Sequence, residues 1–475
     1  EGAFHVASDA SLNVTGFMTG LSGLNKNLAG SLTLSNKQFY TGTTTLNGGT
    51  TTLDGGTNTL FFNNALTVNN GATLDLNGTT AYVGNFASTG TVPGSGGTVT
   101  TLTGTGNLIS NGANGTWAGT ITDTATSTTN FARLSGNRLT MISANTYKGA
   151  TNILGGILQL NTNGTLANTS AITLNYGTLE FDNNAGLLID NTNRVNDAAP
   201  ISMSGGTVSF NGRANSASSE VLGALTVAQG ANIIISGVQA VGSFASADLT
   251  FASLTRSAGT TITFTSGGGT LGSVGTNPRI FFTSLLANNS ANALGAWAIA
   301  NSTDYAGYNV SQGVGALNTA GYRGYDAGYL SGGTLFGFGS GLVTNVQAAA
   351  NQSLTLPAGG ATTDMLRLFS AAAGVQNDIL FTGNTDKLNL VSGGLLRNNI
   401  SAGSLIGDQT TAGILTSGGA LSTGTTDLVA YTNNTTTASG TLTAVAVTNV
   451  TSLTLTAVTT TITPGMMVSG TGRSE

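Results

Sequence analysis

Acid–base and metal chemistry need groups in partnership: a catalytic triad needs a base beside its nucleophile, and zinc needs three or four ligands. This chain has a single histidine, His5, and no cysteine, so both chemistries lack their usual residues. Serines are abundant, but none sits in a Gly-x-Ser-x-Gly elbow between a strand and a helix. Ser392-Gly393-Gly394 and Ser417-Gly418-Gly419 read instead as chain corners. The acids are scattered. The one close pair, Glu180 and Asp182, falls on one face of a strand, because strand side chains alternate with period two. Two carboxylates on an outward face are the minimum for general acid–base attack on a polysaccharide. No third acid and no Arg or Lys stands within a few residues, so a solvated pair at a strand end is the plainer reading. The Gly-Gly-x-Gly-x-Asp nonapeptide of calcium-binding rolls is absent, and no cofactor or metal is expected.

The other residues with a recognition chemistry are aromatic. Between Leu294 and Gly341 lie Tyr305, Tyr308, Tyr322, Tyr325 and Tyr329, with Trp297, Phe336 and Phe338, on a glycine-rich frame. These five tyrosines are candidate contacts for a surface glycan, by ring stacking, or for a second subunit. The alternative is that they cover half-buried sheet, an ordinary task for tyrosine.

The elements that would position such residues are short strands. From Arg138 to Leu160 the text RLTMISANTYKGATNILGGILQL reads as alternating strands separated by a Tyr-x-Gly turn and a Gly-Gly turn. From Ser31 to Leu53, at an offset of 107 (138 minus 31), SLTLSNKQFYTGTTTLNGGTTTL repeats it with eight of 23 positions identical. The structural fittings are Tyr40, Gly42, Gly48 and Gly49 in one copy and Tyr147, Gly149, Gly155 and Gly156 in the other. Looser versions follow at Ala171–Asn183, Ile201–Gly212, Leu225–Gly237 and Thr261–Gly272. The turn glycines Gly156, Gly177, Gly206 and Gly230 are spaced by 21, 29 and 24. LVSGGLL and LTSGGAL recur 25 apart. A quasi-period of this size predicts a solenoid whose coils bury their apolar sides only by stacking. At about 25 residues per coil the chain makes roughly 19 coils, a rod of about 90 Å at strand spacing. Asn pairs at Asn69-Asn70, Asn183-Asn184 and Asn433-Asn434 stand at strand ends, where stacked amides can form ladders.

Composition agrees with this. Charged residues are 7% of the 475, the net charge is −5, and there are 70 Gly against 5 Pro. So much Gly, Thr and Asn opposes long helices. Without a basic stripe, nucleic-acid binding is not expected. No apolar run reaches transmembrane length. Glu1-Gly2-Ala3-Phe4 lacks the basic start and apolar run of a signal peptide, and the expectation is an exported chain from which that segment has been removed.

The two full motifs resemble the autotransporter-associated β-strand repeat: a Leu-Thr-Leu strand, an Asn-Thr-Tyr-x-Gly turn, a Gly-Gly turn and a second strand. Asn145-Thr146-Tyr147-Lys148-Gly149 matches it; Gln38-Phe39-Tyr40-Thr41-Gly42 keeps the Tyr and Gly. Leu294–Gly341 and the SGGLL and SGGAL segments resemble large repeat-rich surface proteins of planctomycete- and verrucomicrobium-like bacteria. The resemblance implies an exported right-handed parallel β-helix and no catalytic residues. The expected all-β organisation is a β-solenoid over 1–293, a Tyr/Gly-rich region with loops over 294–355, solenoid again over 356–441, and a strand-rich C-terminal end over 442–475 available for subunit contact. The expected function is a non-enzymatic extracellular or cell-surface structural protein, a filament, sheath or stalk subunit assembling as a homopolymer through its solenoid ends. The alternative is an adhesin or carbohydrate-binding passenger of a larger surface protein. Both ends read as interior coil: either the chain is one segment of a much longer surface protein, or the two ends complement each other between copies, with terminal strand donation as the mechanism of assembly.

Overall fold

The computed structural model describes residues 2–238, 246–284, 293–372, 374–398, 404–418, 426–433, 439–447 and 450–459. The readings placed on Gly419 and Asn434 lie outside these residues, as does the 460–475 part of the C-terminal segment. Among the described residues there is no helix, hence none long and apolar enough to cross a membrane. The chain divides into two compact units. One comprises Glu1–Ser257, Ser266–Thr270 and Val274–Ser284; the other comprises Ala258–Thr265, Leu271–Ser273 and Leu285–Glu475.

In the first unit, strands with a common residue pattern pair with the matching strand of the next rung rather than with their chain neighbours. Gly2–His5, Leu24–Asn27, Thr44–Leu46, Leu66–Val68 and Phe86–Ala87 form one sheet in that order. Ser11–Val14, Ser31–Leu34, Gly49–Leu53, Ala72–Asp75, Thr98–Thr100 and Thr120–Ile121 form a second. A third runs from Thr80–Val83 through Thr128–Arg133 and Ile172–Asn175 to Leu254–Arg256. A fourth contains Gly115–Trp117, Arg138–Met141, Ile157–Asn161, Thr178–Asp182 and Thr207–Gly212. These strands pair in parallel: Leu24 beside Thr44, Leu32 beside Thr51, Leu139 beside Leu158 and Leu158 beside Leu179. The stacked parallel sheets are consistent with a β-solenoid.

The alternation in sequence explains the stacking. In Ser31–Leu34 and Arg138–Met141 every second residue is buried, and Leu32, Leu34, Leu139 and Met141 have almost no exposed surface. Each stands over the matching residue of the next rung, so one rung's inward side chains are covered only by its neighbours. Burying a leucine contributes about 1.5–3 kcal/mol, which a single short strand cannot secure by itself. In these two strands Thr33 and Thr140 take the outward positions, where a β-branched side chain fits the pleat, while Thr44, Thr51 and Thr151 fill inward ones.

The second unit is built differently. Thr261–Ser266 pairs in parallel with Ala298–Ala300 through Ile262, Thr263 and Phe264, but Asp304–Asn309 then turns back antiparallel on Ala298–Ala300 and on Gly313–Ala316. Tyr329–Ser331 and Thr334–Phe336 form an antiparallel hairpin. Beyond it parallel order returns with Val343–Ala348, Gly360–Ser370 and Lys387–Asn398, whose two halves pair with Ile414–Ser417 and Val429–Asn433. Ser439–Val447 and Val450–Thr459 form a long antiparallel ribbon that begins three residues before the 442–475 segment read as a subunit contact. Two apolar clusters fill this unit, one around Leu356, Leu366, Ile379 and Leu390, the other around Ile299, Tyr305, Met365 and Leu396.

Candidate functional site

The two copies of the repeated turn have the same internal geometry. The Tyr40 hydroxyl lies 2.6 Å from Thr44 Oγ1, and the Tyr147 hydroxyl lies 2.6 Å from Thr151 Oγ1. Both rings are buried. Burial pushes the Tyr40 hydroxyl up to about 12 and the Tyr147 hydroxyl higher still, each opposed by its threonine. Gly49 and Gly156 occupy the left-handed region, at φ 62° and 61°. A Cβ there would overlap the carbonyl oxygen of Gly30 or of Ser135 on the adjacent rung, so only glycine lets the rungs close up. Gly42 and Gly149 likewise leave no room for a Cβ, against Gly23 and Thr129. Gly48 and Gly155 abut the carbonyls of Leu28 and Leu134. These eight residues are held as fittings of the stack.

Gln38 and Asn145 occupy the same place in the two copies. Gln38 Oε1 accepts the Met18 N–H at 2.9 Å, and its amide donates to the Asn36 carbonyl at 2.6 Å. Asn145 Oδ1 accepts the Ile121 N–H at 2.9 Å, and its amide donates to the Ser143 carbonyl at 2.9 Å. The departure of Gln38-Phe39-Tyr40 from the Asn-Thr-Tyr pattern therefore keeps the chemistry of the turn. The equivalence extends upstream to a pair that sequence reading missed. Lys26 and Arg133 stand at the same offset of 107 (133 minus 26), and both are fully buried. Lys26 Nζ donates to the carbonyls of Leu28 and Gly48, both at 2.6 Å, and of Gly30. Arg133 donates to Ser110 Oγ at 2.9 Å and to the Gly112 carbonyl at 2.8 Å. The constant offset itself is the signal that finds them.

The Glu180–Asp182 pair is not solitary. Arg138, two rungs earlier, makes an ion pair with Glu180 at 2.7 Å. Gln159 Nε2 donates to Glu180 Oε1 at 2.8 Å and to Asp182 Oδ2 at 3.1 Å. The Asn211 amide and the Asn184 N–H both donate to Asp182 Oδ1 at 2.9 Å. Burial is the largest influence on Asp182 and raises its carboxyl; the Glu180 charge adds to that, and the Asn184 and Asn211 hydrogen bonds oppose it. Glu180 Oε1 and both oxygens of Asp182 are thus engaged, mostly by neighbouring rungs. The local sequence window around the pair holds no cation. The strand register supplies one, since Arg138 stands beside Ile157, and Ile157 beside Thr178.

Polar side chains elsewhere also bond along the stacking direction. The Asn47 amide donates to Asn27 Oδ1 at 2.9 Å, Asn69 to Asn47 at 2.8 Å, and Thr89 to Asn69 at 2.8 Å. A parallel run links Asn13, Ser35, Asp54, Asn77 and Thr103. Of the expected Asn pairs, Asn69 takes part in such a ladder, while Asn183 bonds Asp190 and Arg194 within a buried cluster. In that cluster Glu220 accepts the Arg194 N–H at 2.9 Å, and burial pushes its carboxyl up to about 8 against the opposing pull of the Arg194 charge.

The five tyrosines of the second unit are not gathered on one surface. Tyr305 is 1% exposed and donates to the Leu366 carbonyl at 3.0 Å, so it has no surface to offer a partner. Tyr325 donates to Asp304 at 3.1 Å and accepts the Tyr305 N–H at 3.0 Å. Arg367 makes an ion pair with Asp304 at 3.0 Å and lies 4.8 Å over the Tyr325 ring. Burial holds both tyrosine hydroxyls well above their ordinary value. Tyr322 donates to the Gly313 carbonyl at 2.9 Å, and Tyr308 is half-buried opposite Val314. Tyr329 alone is half exposed, its ring stacked on Phe336 at 4.9 Å. Among the described residues no group of three His, Asp or Glu side chains is placed to hold a metal ion.

No family model, no curated protein and no solved structure matches this chain.

Proposed function

We propose that this chain is a right-handed parallel β-helix of roughly 19 coils acting as a non-enzymatic, extracellular structural protein, a subunit of a filament, sheath or stalk. The observation that carries the reading is how the polar groups are used. The side chains with chemical potential (Lys26, Arg133, Gln38, Asn145, Glu180 and Asp182) are engaged in tying one rung to the next. That is the economy of a scaffold, and it fits the resemblance to the autotransporter-associated repeat. Gly2–His5, Ser11–Val14 and Thr19–Gly20 each pair on one side only among the described strands, and a strand paired on one side accepts further strands, which in this reading come from a second copy. Electron microscopy of the protein at rising concentration tests this. Polymers lengthening by one rod per subunit are expected; dispersed single rods at every concentration would exclude assembly through these edges.

A second reading, adhesion to a glycan, is favoured by one feature, the exposed Tyr329–Phe336 ring pair on its hairpin. A glycan array with the wild-type protein and Tyr329→Ala tests it. Binding that disappears in the variant supports the reading, and an array with no bound glycan ends it.

A further inference from the structure

The first unit carries a line of exposed aromatic rings that neither the core nor the proposed end contacts use. Phe17, Phe39 and Phe61 recur at an interval of 22 (39 minus 17, and 61 minus 39). They are 64%, 47% and 36% exposed. Their rings meet one another in sequence, with centroids 6.0 Å apart between Phe17 and Phe39 and 6.3 Å between Phe39 and Phe61. Phe62, next to Phe61 in the chain, is also exposed, at 53%, and stacks on Tyr82 at 4.2 Å. An exposed phenylalanine on a soluble surface needs no explanation when it is single; a contiguous file of them marks an interaction site.

We propose that this file is a lateral dimerisation surface and that its occupant is the same file on a second copy, packed side by side. Repeat, area and charge select that partner. The rings recur once per strand rung, about every 4.8 Å along the stack, and a surface of the same repeat keeps register over the whole file. An isologous two-fold contact centred on Phe39 sets Phe17 of each copy against Phe61 of the other. The area also fits. An aromatic side chain presents about 150–250 Å², so the exposed parts of the four phenylalanines amount to about 400 Å². That is the apolar half of the roughly 800 Å² per partner that a stable interface needs, with threonine and asparagine of the flanking turns as its rim. Charge points the same way. Within residues 15–21, 36–42 and 58–64 the one charged side chain is Lys37, which leaves nothing to recognise a strongly charged partner and little to keep two copies apart. Rings set edge-to-face at 81° and tilted at 58° make a ridged surface that suits interlocking with its own image better than the flat platform on which a sugar ring stacks.

The test is sedimentation velocity on the chain of residues 1–475, wild type against the triple variant Phe17→Ser, Phe39→Ser, Phe61→Ser, with unfolding followed by circular dichroism to establish that the variant folds. The expected result is a dimer whose dissociation constant rises at least about tenfold in the variant, and whose association strengthens with salt, because Lys37 of the two copies is then screened. A wild type that stays monomeric, or a folded variant that dimerises as the wild type does, overturns the proposal. Binding of a neutral polysaccharide by the file with no change in association state also overturns it. Side-by-side pairing widens a particle in electron micrographs and end-to-end stacking lengthens it, so either proposal can fail without the other. If serine proves too disruptive, Phe39→Lys at the centre of the file makes the same discrimination by repulsion.

Discussion

Residues 31–53 and 138–160 trace the same path through their stacks with different polar side chains. Gln38 in one and Asn145 in the other hold the same backbone N–H of the rung before. Lys26 and Arg133 are the buried cations of the two copies, yet Lys26 closes on three carbonyls around Gly30 and Gly48 while Arg133 reaches back to Ser110 and Gly112. Tyr40 and Tyr147 are alike down to the hydroxyl distance. The difference teaches that the repeat keeps satisfied backbone groups and a closed corner, and tolerates exchange of the residue that does the satisfying. A buried carbonyl without a donor costs about 1–3 kcal/mol whatever residue had been serving it.

The sharpest way to break the equivalence is at its corners. Gly156→Ala forces a Cβ into the Ser135 carbonyl at a positive φ and is expected to cost about 4 kcal/mol, with Gly49→Ala similar; urea unfolding measures both. Next comes the buried acid that neither copy contains. Glu220 keeps its proton up to about 8 when folded and only to 4.5 when unfolded. Between those values the folded chain binds more protons, so its stability is full below the lower one and falls as pH rises through the upper. The expected loss is about 3 kcal/mol between pH 4.5 and 7, and Glu220→Gln should flatten the profile of Tm against pH.

The two cations then separate the copies. Lys26→Met strands three carbonyls and should cost about 2–3 kcal/mol. Arg133→Met should cost less, because Arg133 Nε is already buried without a partner. Equal losses would mean that the cation's charge, rather than its donors, matters. Smaller again are the hydroxyls. Tyr40→Phe leaves Thr44 without its partner and should cost about 1–2 kcal/mol. Tyr147→Phe should cost about half that, since Thr151 retains Thr169 at 2.9 Å. Chemical denaturation of the single variants decides the order.

Much of this was legible in the residues, for a local reason. Leu32, Leu139 and the other inward positions announce themselves by alternation, and Gly156 by its place after a strand, because period-two patterning and positive φ are properties of a few consecutive residues. The pairing of Arg138 with Glu180 was not legible. Rungs differ in length: Leu24 stands beside Thr44, twenty on, whereas Ile172 stands beside Ile201, twenty-nine on. Without a constant period the register has to be found in space. Tyr305 and Tyr329 make the same point. Both are tyrosines in glycine-rich text, but one is sealed against Leu366 and the other stands on a hairpin.

By itself, then, the sequence determined an all-β chain of short strands, its inward apolar positions, its glycine corners and the constant offset between the two copies. Strand alternation and turn chemistry are local, and the polymer expresses them before it folds. Only the tertiary structure decided which rung lies on which. From that followed the ion pair of Glu180, the carbonyl cradle around Lys26, the burial of four of the five tyrosines to differing depths and the alignment of Phe17, Phe39 and Phe61 into one exposed file. Those are contacts between segments far apart in the chain, and they exist only after the stack has chosen its register.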